Sequence, residues 1–196
     1  MKTTNHEKFE TKNPVAKGLI GRFHETVTTA IADLQPANLL EVGCGEGFFL
    51  NALKHRLPDL PVLGLDYNEQ ALAAGHQVFP TLPLAKGDIY KLDQADQSWD
   101  VVVASEVLEH LDHPDDALRE LKRVSKRYVV LTVPWEPWFQ LGSLGRGKHL
   151  KRLGNHPEHI NHWGPKSFRG FIGQQLVVEK MITWNAFPWM IAVARR

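Results

Sequence analysis

The chain has 196 residues, 43% of them hydrophobic, enough to bury one core of ordinary single-domain size. Its 23 basic and 22 acidic residues leave a net charge of +1, so no global field marks it for nucleic acid or a membrane surface. The lone cysteine, Cys44, excludes an internal disulfide; no apolar run approaches the ~20 residues of a membrane span, and the opening Met1-Lys2-Thr3-Thr4-Asn5-His6-Glu7 lacks a signal peptide's apolar centre, so a cytoplasmic location is expected.

Residues 14 to 34, opening at Asn13-Pro14, place Val15, Leu19, Ile20, Phe23, Val27 and Ile31 at helical spacing, which predicts an amphipathic helix capping the next segment. Strands are predicted at 38–42, 61–65, 83–86, 99–104, 127–133, 175–183 and 188–195, with helices after the first, second and fourth. That alternation predicts an α/β doubly wound sheet with helices on both faces. Apart from Asp100, the run from Trp99 to Ala104 is apolar on both faces, as a buried parallel strand is. The last two strands, joined by Trp184-Asn185-Ala186-Phe187, form a predicted hairpin that adds an antiparallel edge. After Pro114, one helical face carries Ala117, Leu118, Leu121 and Val124, and the other Arg119, Lys122, Arg123 and Lys126, read as a solvated basic face.

The chemistry is concentrated at strand ends. Leu39-Leu40-Glu41-Val42-Gly43-Cys44-Gly45-Glu46-Gly47 is an apolar strand ending in an acid and then three glycines at alternate positions. Glycine suits a sharp strand-to-helix turn because it adopts positive φ and lets a ligand approach the main chain. A dinucleotide loop reads G-x-G-x-x-G, and here Gly47 comes one residue too early for that pattern. Glu41 would repel a pyrophosphate and attract an ammonium group. Cys44 fills a place that wants a small residue, with no nucleophilic role. Val62-Leu63-Gly64-Leu65-Asp66 then ends in an acid placed to take both hydroxyls of a ribose, and Ala85-Lys86-Gly87-Asp88-Ile89 supplies an acid for an adenine amino group, with Tyr67 and Ile89 against the ring. The fourth strand ends at Ser105 and delivers Glu106-Val107-Leu108-Glu109-His110 to the same edge.

This series resembles the Rossmann-like, class I S-adenosylmethionine-dependent methyltransferases, of the type 11/12 kind, over residues 38 to 133. The resemblance implies a seven-stranded sheet in the order 3-2-1-4-5-7-6 with the last strand antiparallel. It also implies S-adenosylmethionine as cofactor, held by Glu41, Gly43, Gly45, Gly47, Asp66, Tyr67, Asp88, Ile89 and Ser105. The single domain then divides into a cap helix (1–36), a cofactor-binding core (37–133), a substrate lid (134–168) inserted between strands 5 and 6, and a C-terminal hairpin (169–196). Too long for an ordinary connection, the lid holds Trp135, Trp138, Phe139, Trp163, His149, His156, His159 and His162. Its basic piece, Arg146 to Arg152, suits a phosphate or carboxylate on the substrate.

Two carboxylates three residues apart with an imidazole beside the second, Glu106, Glu109 and His110, suit magnesium or manganese. The segment resembles both the metal-binding piece of small-RNA 2′-O-methyltransferases and the ubiquinone-pathway O-methyltransferases. In the RNA enzymes a later histidine is followed at plus four by tryptophan and at plus nine by phenylalanine; here His159, Trp163 and Phe168 stand at that spacing. That resemblance implies metal ligands Glu106, Glu109, His110 and His159. Without a metal, His110 or His159 would serve as general base. The expected function is methyl transfer to a small, anionic acceptor at oxygen by a monomer or weak homodimer. The alternatives are a metal-assisted RNA 2′-O-methyltransferase and a non-catalytic S-adenosylmethionine-binding regulatory module; a nicotinamide oxidoreductase is disfavoured by the glycine spacing.

Overall fold

β1 (Leu39–Val42), β4 (Trp99–Ser105) and β5 (Ser125–Pro134) occupy the middle of a seven-stranded sheet in the computed structural model, which describes residues 13–145 and 159–196. With β2 (Val62–Asp66), β3 (Leu84–Lys86), β6 (Val177–Ile182) and β7 (Trp189–Arg195), the order is 3-2-1-4-5-7-6, as expected. β1 to β5 run parallel, whereas β7 is antiparallel to both neighbours, pairing Thr132 with Ile191 and Ile182 with Ile191.

Among the described residues the sheet is accompanied by six α-helices: α1 (Pro14–Asp33), α2 (Phe48–Arg56), α3 (Glu69–Val78), α4 (Pro114–Val124), α5 (Trp138–Gly145) and α6 (Pro165–Gly173). Because side chains alternate along a strand, β4 feeds two cores. Val101 and Val103 join Val27 and Ile31 of α1, Leu50 and Leu53 of α2 and Leu72 of α3. Val102 and Ala104 join Leu118 and Leu121 of α4 and Phe168 and Ile172 of α6 on the other face.

The predicted start of α1 is present, with Asn13 Oδ1 accepting from the Val15 and Ala16 N–H groups and Pro14 in the first turn. Its apolar stripe is shorter than expected. Phe23, Val27 and Ile31 are buried, but Val15 is 69% exposed. The stretch expected to form a lid contains α5 and leads into α6. On α4 the apolar face is buried as predicted, while the basic face is engaged. Arg119 pairs with Asp116, Lys122 donates to the Gln175 carbonyl, and Arg123 binds Asp96, Glu120 and the Leu92 and Gln94 carbonyls.

Strand order reverses between β1 and β4, so their carboxyl ends open a crevice, the usual ligand position in such sheets. The loop after β1 lies in that crevice, held from behind by α3. A Cβ on Gly75 of α3 would come within 2.7 Å of the Glu46 carbonyl oxygen and of Leu84 Cδ1. Gly75→Ala should therefore destabilise the fold by about 1–3 kcal/mol, since backbone cannot yield as a flexible side chain can. Chemical denaturation checks this; an unchanged midpoint would mean that the contact relaxes freely.

Candidate active site

Gly43, Gly45 and Gly47 all have positive φ, +80°, +54° and +82°, the conformation their spacing anticipated. At Gly43 a Cβ would also meet Val107 Cγ2 at 2.4 Å, so this glycine is required by the neighbouring β4 loop as well. Asp66, at the end of β2, braces the glycine loop. One oxygen accepts from the Gly45 N–H at 2.6 Å and the other from the Asn68 N–H at 2.8 Å.

Beneath α1 lies a cavity walled by Ile20, Phe23 and His24 above and by Glu41, Gly43, Glu46 and Ser105 below, with Trp189 of β7 at its side. Glu41 and Glu46 are each only 2% exposed. Glu41 Oε2 and both oxygens of Glu46 have no hydrogen-bond partner among the described residues. Burial, and secondly the neighbouring Asp66 carboxylate, hold the Glu41 carboxyl well above the usual carboxylate range. Burial lowers the His24 imidazole to about 4, so it is neutral near pH 7. The Cys44 thiol is pushed up, by burial first and then by Glu41 and Asp66, which fits an inert space-filling residue.

The adenine end foreseen from the sequence is open. Tyr67 is 73% exposed with Lys86 Nζ 5.8 Å from its ring centre, Asp88 is exposed and accepts from the Tyr90 N–H, and Ile89 is buried beneath. These residues make a shallow shelf. The glycine loop, the strand-end Asp66 and the orphaned Glu41 carboxylate together fit the nucleoside and amino-acid parts of S-adenosylmethionine.

At the end of β4 the backbone twists sharply. Glu106 has φ +59°, uncommon for a non-glycine residue, and such strain collects at functional sites. Thr132 of β5 fixes it: its carbonyl and Oγ1 both accept from the Glu106 N–H, its hydroxyl reaches Glu106 Oε1 at 3.2 Å, and it lies 3.0 Å from Ser105 Oγ. A 3-10 turn, Leu108–His110, follows and buries Glu109 to 1% exposure, with Glu109 Oε1 3.9 Å from His110 Nε2. His159 returns to this turn because the next two residues are clasped there. The Ile160 and Asn161 N–H groups donate to the Glu109 carbonyl, and the Asn161 side chain donates to the Leu108 and Leu111 carbonyls.

The structure thus brings Glu109, His110 and His159 together, with one ligand atom from each all within 4.8 Å of one another. Glu106 is not part of that cluster; its carboxylate faces Thr132 and the cavity beneath α1 instead. His162 is exposed near Glu136, whereas His149, His156 and the basic piece 146–152 lie outside the described residues. Aromatic rings connect cavity and cluster. Phe23 contacts Trp189, Trp189 contacts Phe139, Phe139 contacts His159 and His159 contacts His110, with centroid separations of 4.8, 6.0, 5.8 and 5.0 Å.

Several of these residues escaped the sequence reading although two carried a signal. Glu46 is an acid between two of the three glycines, and His24 lies one turn beyond Ile20 on the apolar stripe of α1. Thr132, Asn161 and Trp189 carried none, since their roles come from pairing with distant strands and turns.

A family model described as a methyltransferase domain matches residues 40–132. An uncharacterized methyltransferase of Schizosaccharomyces pombe is 34% identical over 99 residues, covering 45% of this chain; the chain spans only 36% of that relative's length. The trans-aconitate 2-methyltransferase of Yersinia pseudotuberculosis is 23% identical over 194 residues, covering 85% of this chain and 72% of that one. Among solved structures, the magnesium protoporphyrin IX methyltransferase of Synechocystis PCC 6803 with bound SAH (S-adenosylhomocysteine) shares the fold, with a TM-score of 0.67, 18% identity and coverage of 95% of this chain and 89% of that one. Among the described residues no helix is long and apolar enough to cross a membrane.

Proposed function

We propose that the chain is a Rossmann-like, class I S-adenosylmethionine-dependent methyltransferase and that it methylates a small anionic acceptor at oxygen, with His110 and His159 facing the acceptor. The observation that carries this reading is the pair of imidazoles, 5.0 Å apart between ring centres, at the end of β4 beside the cofactor cavity. The carboxylate substrate in the name of the Yersinia relative supports an anionic acceptor.

In this reading Glu41, the three glycines and Asp66 hold the cofactor, with Tyr67, Asp88 and Ile89 along its adenine and Ser105 near the transferred group. When bound, the cofactor supplies a methyl group on a sulfonium, so positioning and exclusion of water are most of what the chain adds. α1 and the Phe23, Trp189 and Phe139 rings keep water from the space between cavity and cluster. An acceptor hydroxyl gives its proton to a nitrogen of His110 or His159 as its oxygen gains the methyl group. A carboxylate acceptor has no proton to lose, and the same imidazoles then hold it by hydrogen bonds. Recombinant protein is incubated with methyl-labelled S-adenosylmethionine and a panel of small carboxylic acids, including trans-aconitate, hydroxylated acids and a short RNA. Label in a small acid that is released by mild alkali identifies a methyl ester, and alkali-stable label an ether. Label confined to the RNA would refute the small-acceptor reading.

One observation favours a second reading, a metal-assisted reaction: the three donors Glu109, His110 and His159 already converge. A hard cation such as Mg2+ or Mn2+ there would lower the pKa of an acceptor hydroxyl. Calorimetric titration of each metal into stripped protein tests it. Uptake abolished in Glu109→Ala supports the metal, and absence of uptake removes it, together with the RNA 2′-O-methyl alternative that depends on it.

A further inference from the structure

We propose that Glu46, the acid inside the glycine loop, is a receptor for the α-ammonium group of the cofactor, acting with Glu41, which lines the same cavity. This rests on the S-adenosylmethionine reading and adds a recognition residue to it. Both Glu46 oxygens are buried without a hydrogen-bond partner among the described residues, although the side chain is only 2% exposed. Leaving a carboxylate unpaired away from water costs several kcal/mol, so a fold retains one where a ligand supplies the missing partner.

Among the described residues no lysine or arginine lines the cavity; the polar side chains there include Glu41, Glu46, Ser105, Glu106, the Cys44 thiol and His24. His24 is neutral near pH 7, its imidazole lowered by burial. A cationic ligand would supply the partner that these described residues do not give Glu46. The remaining walls, Ile20, Phe23, Phe48, Phe49 and Trp189, are apolar and suit a methylene chain rather than a hydrated metal ion. An ammonium on an aliphatic stem is the amino-acid end of S-adenosylmethionine, and Asp66 at the neighbouring strand end fixes where its ribose lies. The two acids face that ammonium from different elements, Glu41 from β1 and Glu46 from the loop.

The test compares two probes by calorimetry in the presence of a chelator. SAH carries the ammonium, whereas 5′-methylthioadenosine keeps the nucleoside and thioether but lacks the amino-acid end. Glu46→Gln should weaken SAH at least tenfold and leave 5′-methylthioadenosine within twofold. Glu46→Asp, which keeps the charge on a shorter stem, should weaken SAH less than the Gln variant and also spare the nucleoside probe; it provides the reading should the Gln variant not fold. Equal loss for both probes would show that Glu46 only shapes the loop and would overturn the proposal. Unchanged SAH affinity in the variant, beside clear binding by the unaltered protein, would overturn it while leaving the cofactor reading intact. No SAH binding by the unaltered protein would sink both.

Discussion

Asp66→Ala is expected to weaken SAH binding by 10- to 100-fold, about 1.4–2.8 kcal/mol, because one carboxylate is asked to do two things. In the proposed cofactor site it faces the ribose hydroxyls, and its own oxygens already accept from Gly45 and Asn68. Alanine removes the ribose acceptors and also releases the N–H that fixes the middle glycine. Asp66→Asn separates the contributions, since it keeps one acceptor oxygen and loses the charge; its affinity should fall between the other two. The readout is calorimetric affinity, with the unfolding midpoint confirming an intact fold. Affinity within twofold of the unaltered protein would mean that the ribose lies elsewhere.

The second large effect concerns turnover. His110→Ala and His159→Ala should each reduce kcat by about 10²- to 10⁴-fold on a hydroxyl acceptor while SAH affinity stays within twofold. Because the two rings touch, 5.0 Å between centres, they should act as a unit, and the double variant should be little worse than the worse single one. Additive losses would show independent roles. If either variant abolished SAH binding, the cluster would belong to the cofactor site and the placement of the acceptor would be wrong.

The sheet was legible because three of its strands, β1, β2 and β4, carry a chemical mark where an apolar run ends: Glu41, Asp66 and Ser105. The glycine loop was legible for the same reason, three positive-φ turns needing three glycines. The lid was read only as composition. α5, Trp138–Gly145, includes two glycines, and the carboxylate that holds its first turn is Glu136, accepting from the Gln140 N–H; α6 carried a signal that was not used, Pro165 in its first turn and Ser167 reaching back to the Gly164 N–H. Site residues divide in the same way. Glu109 and His110 adjoin a recognisable strand, and His159 was found by spacing. Glu106 was grouped with them on its spacing to Glu109 and on the resemblance to the RNA enzymes, but a left-handed backbone turn swings its side chain toward Thr132, a direction that no period in the sequence encodes.

The unpartnered acids beneath α1 bear on how long the protein survives. A chain that buries Glu41 Oε2 and both Glu46 oxygens without a hydrogen-bond partner among the described residues gains stability from a ligand that supplies one, and ligand at a hundred times its dissociation constant adds about 2.7 kcal/mol against unfolding. Degradation that proceeds through the opened state would then slow about a hundredfold, making the lifetime of the enzyme a gauge of its methyl-donor supply.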